Sequence, residues 1–98
     1  MKHDAANNLV RHVIGANIRT LRSQRGHSQM KFAEMVRINR SYLNQIEQGK
    51  MNASVDILVK IANGLDVPLP DLFRGLESHT PSRLPRDAVY AAVQFPES

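Results

Sequence analysis

In this 98-residue chain, runs of apolar residues between Val10 and Phe73 recur three and four positions apart, and no run alternates apolar with polar residues before residue 87. That period gathers apolar side chains on one face of a helix and does not fit a strand. The first three quarters of the chain therefore read as helical. Glycine and proline then cut the helical stretch into short pieces, because both residues terminate regular helix.

The first helix is expected over about Asn8 to Arg25, with Val10, Ile14, Ile18 and Leu21 as its stripe and Gly26 as its stop. Ser28 is a good N-cap for a second helix, Gln29 to Val36, whose Phe32, Ala33 and Val36 face inward. After a break at Arg37-Ile38-Asn39, Asn39 opens a third helix, Arg40 to Gln48, with Leu43 and Ile46 inward and Gly49 closing it. Ser54 caps a fourth helix with the stripe Val55, Leu58, Ile61, Ala62 and Leu65, and a short fifth around Leu69 to Leu76 carries Leu72 and Phe73. The expectation is an all-α, five-helix domain over residues 8–76, preceded by a flexible N-terminus over 1–7. Residues 77–98 read as a linker and C-terminal extension: Ser78 to Arg86 is polar and holds Pro81 and Pro85, and Asp87 to Phe95 fits a strand or a short helix.

The composition excludes several classes. There is no cysteine, hence no disulfide framework and no thiolate nucleophile or metal ligand. His3, His12, His27 and His79 are scattered without ligand spacing and read as solvated surface residues. No glycine-rich phosphate loop or Gly-x-Ser-x-Gly elbow is present, so neither an enzyme nor a cofactor or metal site is expected. No apolar run approaches the roughly 20 residues of a membrane span, and Met1 to Ala5 lacks the apolar core of an export signal. A cytoplasmic protein with no membrane contact is expected.

Charge is unevenly placed. Residues 1–50 hold nine Lys and Arg against Asp4, Glu34 and Glu47, whereas residues 51–98 hold four against six acids. A basic half on a small domain suits a polyanion, nucleic acid being the commonest, although a solvated basic surface has the same composition.

The segment Ser28 to Gln48 sharpens this. Two short helices joined by a three-residue turn fit a DNA-reading helix-turn-helix, but by length alone an ordinary helical hairpin is the commoner outcome. Residue types shift the weighting. Opposite Leu43 and Ile46, the third helix carries Arg40, Ser41, Asn44, Gln45 and Gln48, all able to hydrogen-bond a base or a phosphate. Its one acid, Glu47, is spaced away from that face.

Three stretches, IRTLRSQRGHSQMKFAE (18–34), INRSYLNQIEQGKMN (38–52) and LVKIANGLDVPLPDLF (58–73), together resemble the lambda-repressor-like, Cro/repressor-type helix-turn-helix regulators, the xenobiotic-response-element family. The resemblance runs from Ile14 to Phe73. It implies that Arg40 to Gln48 is the recognition helix, with Arg40, Ser41, Asn44 and Gln45 toward base edges. It also implies that Ser28 and Gln29 bind the DNA backbone at a helix N-terminus, where unpaired N–H groups suit phosphate. Gln48, Lys50 and Asn52 are expected on the backbone beyond the recognition helix. Arg22 and Glu47 match positions that in some members form a partly buried structural ion pair.

Departures from the family pattern carry their own expectations. Arg37 stands where glycine is common; it costs about 1 kcal/mol if the turn is left-handed, and its charge could reach a phosphate. Lys31 replaces the acid that completes a capping box. Pro68 replaces a capping serine, so the fifth helix should start irregularly. Tyr42 either stacks on the DNA or packs against the second helix. The function implied is a dimeric, sequence-specific transcriptional regulator, a repressor or controller, on a palindromic double-stranded operator. The alternative is an antitoxin-like or adaptor protein that binds a protein partner through residues 77–98.

Overall fold

The computed structural model describes residues 2–76, with side chains from Asn7 onward. The expected linker and extension over 77–98, and the partner role assigned to them, lie outside the described residues. Among the described residues there are four α-helices, α1 (Lys2–Gln24), α2 (Gln29–Val36), α3 (Arg40–Glu47) and α4 (Val55–Leu65), followed by a 3-10 helix, Leu69–Phe73. The class is all-α, as the periodicity predicts. None of these helices is long and apolar enough to cross a membrane.

The N-caps act as expected. Ser28 Oγ accepts the Lys31 N–H at 3.1 Å, Asn39 Oδ1 accepts those of Ser41 and Tyr42 at 2.8 and 3.2 Å, and Ser54 Oγ accepts that of Ile57 at 3.2 Å. Each satisfies backbone donors that the first turn of a helix leaves open.

All four helices end in the same way. A residue in the left-handed conformation turns the chain, and the N–H after it returns to a carbonyl five residues back. These bonds are His27 to Arg22, Ile38 to Ala33, Lys50 to Gln45 and Val67 to Ala62, at 3.2, 3.0, 2.9 and 3.1 Å. The left-handed residues are Gly26, Arg37, Gly49 and Asp66. Arg37 and Asp66 carry a Cβ that crowds the backbone at φ 61° and 59°. Both hold because Ile38 and Val67, the next residues, pack against the core.

The core takes a fully buried side chain from every element: Ile18 of α1, Phe32 of α2, Leu43 of α3, Ile61 and Leu65 of α4, and Leu72 of the 3-10 helix. α1 lies across α3 and the 3-10 helix, while α2 packs on α3 and α4. The Asn17 amide donates to the Leu72 and Arg74 carbonyls at 2.8 and 2.9 Å, which ties α1 to the end of the 3-10 helix.

Four expectations need correction. α1 starts at Lys2, so residues 2–7 are helical where a flexible segment was expected; this stretch has no proline or glycine and includes Ala5 and Ala6, so helix propagates through it. The fifth helix is a short 3-10 helix that ends at Phe73, and as expected its start is irregular, Pro68 offering no side-chain cap. Val55 belongs to no buried stripe; it is 67% exposed at the first turn of α4. His27 is half-buried and stacks on Phe32 with ring centroids 6.0 Å apart.

Replacing Arg37 by glycine should raise stability by about 1 kcal/mol, since the native φ suits glycine and the side chain is exposed. Urea denaturation of the Arg37→Gly variant measures it; a loss of stability would contradict the left-handed assignment.

Candidate nucleic-acid interface

α3 is two-sided. Leu43, Ile46 and Glu47 are buried, Arg40, Ser41 and Gln48 are exposed, and Asn44 and Gln45 are half-buried between them. The first residue of α2, Gln29, comes alongside the middle of α3. Together Gln29, Arg40, Ser41 and Asn44 line an open cleft of about 310 Å³. This surface is polar, and no acidic side chain lines it.

The cleft is supported from below by an ion pair. Arg22 Nε donates to Glu47 Oε2 at 2.7 Å and Arg22 Nη2 to Glu47 Oε1 at 3.0 Å, a two-point pairing that fixes both groups in one plane. Arg22 Nη1 also donates to the His27 carbonyl at 2.7 Å, which ties the α1–α2 turn to the pair. Arg22 is 9% and Glu47 7% exposed. Two charges this far from water need several hydrogen bonds between them, and they have them.

Gly15 makes the pairing possible. A Cβ there would lie 2.3 Å from the Ile46 carbonyl oxygen and 2.6 Å from that of Glu47. Only glycine lets the α1 backbone approach the end of α3 so closely. Arg22, two turns further along α1, then reaches Glu47.

A side-chain network continues outward from Glu47. Gln29 Nε2 donates to Glu47 Oε1 at 2.9 Å and to Asn44 Oδ1 at 3.1 Å, and Gln48 Nε2 donates to Asn44 Oδ1 at 3.3 Å. Of the residues singled out from sequence, Arg22, Gln29, Asn44, Glu47 and Gln48 therefore form one hydrogen-bonded unit. Arg40, Ser41 and Gln45 lie on the same side of α3. Ser28 is committed to its cap, with its side chain exposed. Arg37 stands at the far end of α2, about 12 Å along the axis, and its carbonyl accepts from Lys60 Nζ at 3.5 Å. Lys50 and Asn52 are exposed beyond α3.

Sequence reasoning missed two arginines. Arg11 Nη1 donates to Asn52 Oδ1 at 2.8 Å, and its other nitrogen bonds Asn8 Oδ1. Arg19, exposed, lines a second cleft of about 340 Å³ with Arg22, Gln29, Asn44, Glu47 and Gln48. The available signal was spacing: Arg11, Gly15, Arg19 and Arg22 are four, four and three apart, so they share one face of α1. Tyr42 packs against the core, and its hydroxyl donates to the Asn52 carbonyl at 3.4 Å, so it braces the loop after α3.

Comparison with known proteins matches this architecture. A family model described as helix-turn-helix matches residues 18–72. The chain is similar to the HTH-type transcriptional regulator SutR of Escherichia coli (strain K12), 37% identical over 69 residues, 70% of this chain and 39% of that protein. It therefore spans about two fifths of that relative's length. It is also similar to the control protein C.MunI of a Mycoplasma species, 38% identical over 64 residues, 64% of this chain and 86% of that protein. Among solved structures, the restriction-modification controller protein C.AhdI from Aeromonas hydrophila superposes with a TM-score of 0.63 at 33% identity, covering 64% of this chain and 96% of that one.

Arg22→Ala strands a buried carboxylate and should destabilise the fold by about 3–5 kcal/mol. The double replacement Arg22→Met, Glu47→Leu should recover most of that loss, because neither charge is left unpaired. Denaturation curves of the three proteins check both statements.

Proposed function

The chain belongs to the helix-turn-helix family, the lambda-repressor-like DNA-binding transcriptional regulators, and on that premise we propose that it acts as a homodimer on a palindromic double-stranded operator, with α3 in the major groove. The observation that carries this is the division of α3 between a buried side with Leu43 and Ile46 and a polar side with Arg40, Ser41, Asn44 and Gln45, where no acid lines the cleft that Arg40, Ser41 and Asn44 share with Gln29. An arginine forks onto guanine and an amide onto adenine by the donor and acceptor patterns of the major groove. These residues are assigned to base edges.

Ser28, Gln29, Arg37, Gln48, Lys50 and Asn52 are assigned to the DNA backbone. At the start of α2 the dipole and the unpaired N–H groups favour a phosphate. Arg11 holds Asn52 from α1, which restricts that contact to one orientation. Residues 8–76 form the DNA-binding domain in this reading, and 77–98 a linker and extension. A single module of this kind makes a small interface with DNA, and two copies on one face of the duplex read half-sites about 10 bp apart. α4 leaves Val55 and Val59 exposed one turn apart, an apolar pair suited to a second copy. Such a regulator works in the cytoplasm and needs no cofactor.

Selection of bound duplexes from a random library, at two salt concentrations, tests the reading. It should return a palindrome that survives the higher salt. Enrichment with no motif, lost steeply with salt, would contradict it. On the selected site, Gln45→Ala should cost about 1–3 kcal/mol at particular base pairs, whereas Lys50→Ala should weaken all sequences alike and lower the salt slope by about 1. A changed base preference in Lys50→Ala would displace that residue from the backbone.

A further inference from the structure

We propose that the buried Arg22–Glu47 pair sets the hydrogen-bonding polarity of the reading face, leaving Asn44 a donor only and the Gln29 side chain an acceptor only. The inference rests on the DNA-reading role of α3 argued above and adds which base α3 reads there. A carboxamide can present either its oxygen or its NH₂ group, and here the choice is forced by chemistry. The Glu47 carboxylate accepts and cannot donate, and Arg22 holds it in place, so Gln29 must turn Nε2 toward it. The second hydrogen of that nitrogen points to Asn44, which must answer with Oδ1. Gln48 Nε2 approaches the same oxygen from the next turn of α3. Asn44 Oδ1 thereby receives two donors, and only its NH₂ remains for DNA.

Two consequences follow for recognition. An amide reads adenine by giving a hydrogen to N7 while accepting one from N6, and Asn44 has no oxygen left for the second bond. Two N–H groups without an acceptor match guanine, whose O6 and N7 both accept. Gln29, with both hydrogens spent, has no side-chain donor for a phosphate, so its backbone N–H is the group that faces the DNA strand, and the side chain acts as a positioning residue for Asn44.

The test uses the full chain and the same random-duplex selection. The base pair read by Asn44 is the one whose preference disappears in Asn44→Ala. In the wild-type motif that pair should be G·C, and exchanging it for A·T should weaken binding about tenfold. Asn44→Asp should lose the guanine preference, since an oxygen replaces the outward NH₂. Gln29→Ala removes one of the two donors on Asn44 Oδ1 and so returns an acceptor position to it, and A·T should then bind within about twofold of G·C at that pair, with the pair read by Gln45 unchanged. A wild-type A·T at the Asn44 pair, or a guanine preference untouched in Gln29→Ala, would overturn the proposal. If Asn44→Ala leaves the motif intact, Asn44 reads no base and this inference fails while DNA reading stands. If the wild type yields no motif, the functional reading fails as well.

Discussion

The close approach of α1 to the end of α3, and the ion pair it encloses, is the constraint on which the rest of the molecule depends. Without a Cβ at Gly15 the two backbones touch, and Arg22 then meets Glu47 beneath the exposed side of α3. A buried pair of this kind adds little net stability over an apolar replacement, because both charges give up their water. What it supplies is orientation. It fixes the angle of α3 against α1, the α1–α2 turn through the His27 carbonyl, and the amides of Gln29 and Asn44 through a chain of hydrogen bonds.

The two sides of α3 thus do different work. Leu43 and Ile46 anchor it in a core to which every element contributes, and that core is apolar and indifferent to DNA sequence. The polar side is held in place by donors and acceptors whose directions are set within the protein. Orientation fixed before binding lowers the ordering cost paid at the interface.

Much of this was legible in the sequence because it depends on local rules. The caps at Ser28, Asn39 and Ser54 follow from the ability of a short polar side chain to bond the first N–H groups of a helix, and the inward positions of α2 and α3 follow from period alone. Other features depend on contacts distant along the chain. The left-handed Asp66 is paid for by Val67 packing into the core, which no local preference reveals. Gly15 reads as an isolated glycine until α3 is placed against it. Arg11 and Arg19 carry no local signature of their own, because what distinguishes them is reaching Asn52 and the cleft beside Gln29. The ion pair came from family resemblance, whereas the polarity of the amides needed side-chain geometry.

The central claim is that the exposed side of α3, with the start of α2, is the surface that meets DNA. Titration of the ¹⁵N-labelled full chain with its selected duplex, followed by amide chemical shifts, tests it most directly. The largest changes should fall on Ser28, Gln29 and residues 40–45, with Lys50 and Asn52 also shifting. Changes concentrated on the middle of α4 and on Leu69 to Phe73, with residues 40–45 unmoved, would contradict the account.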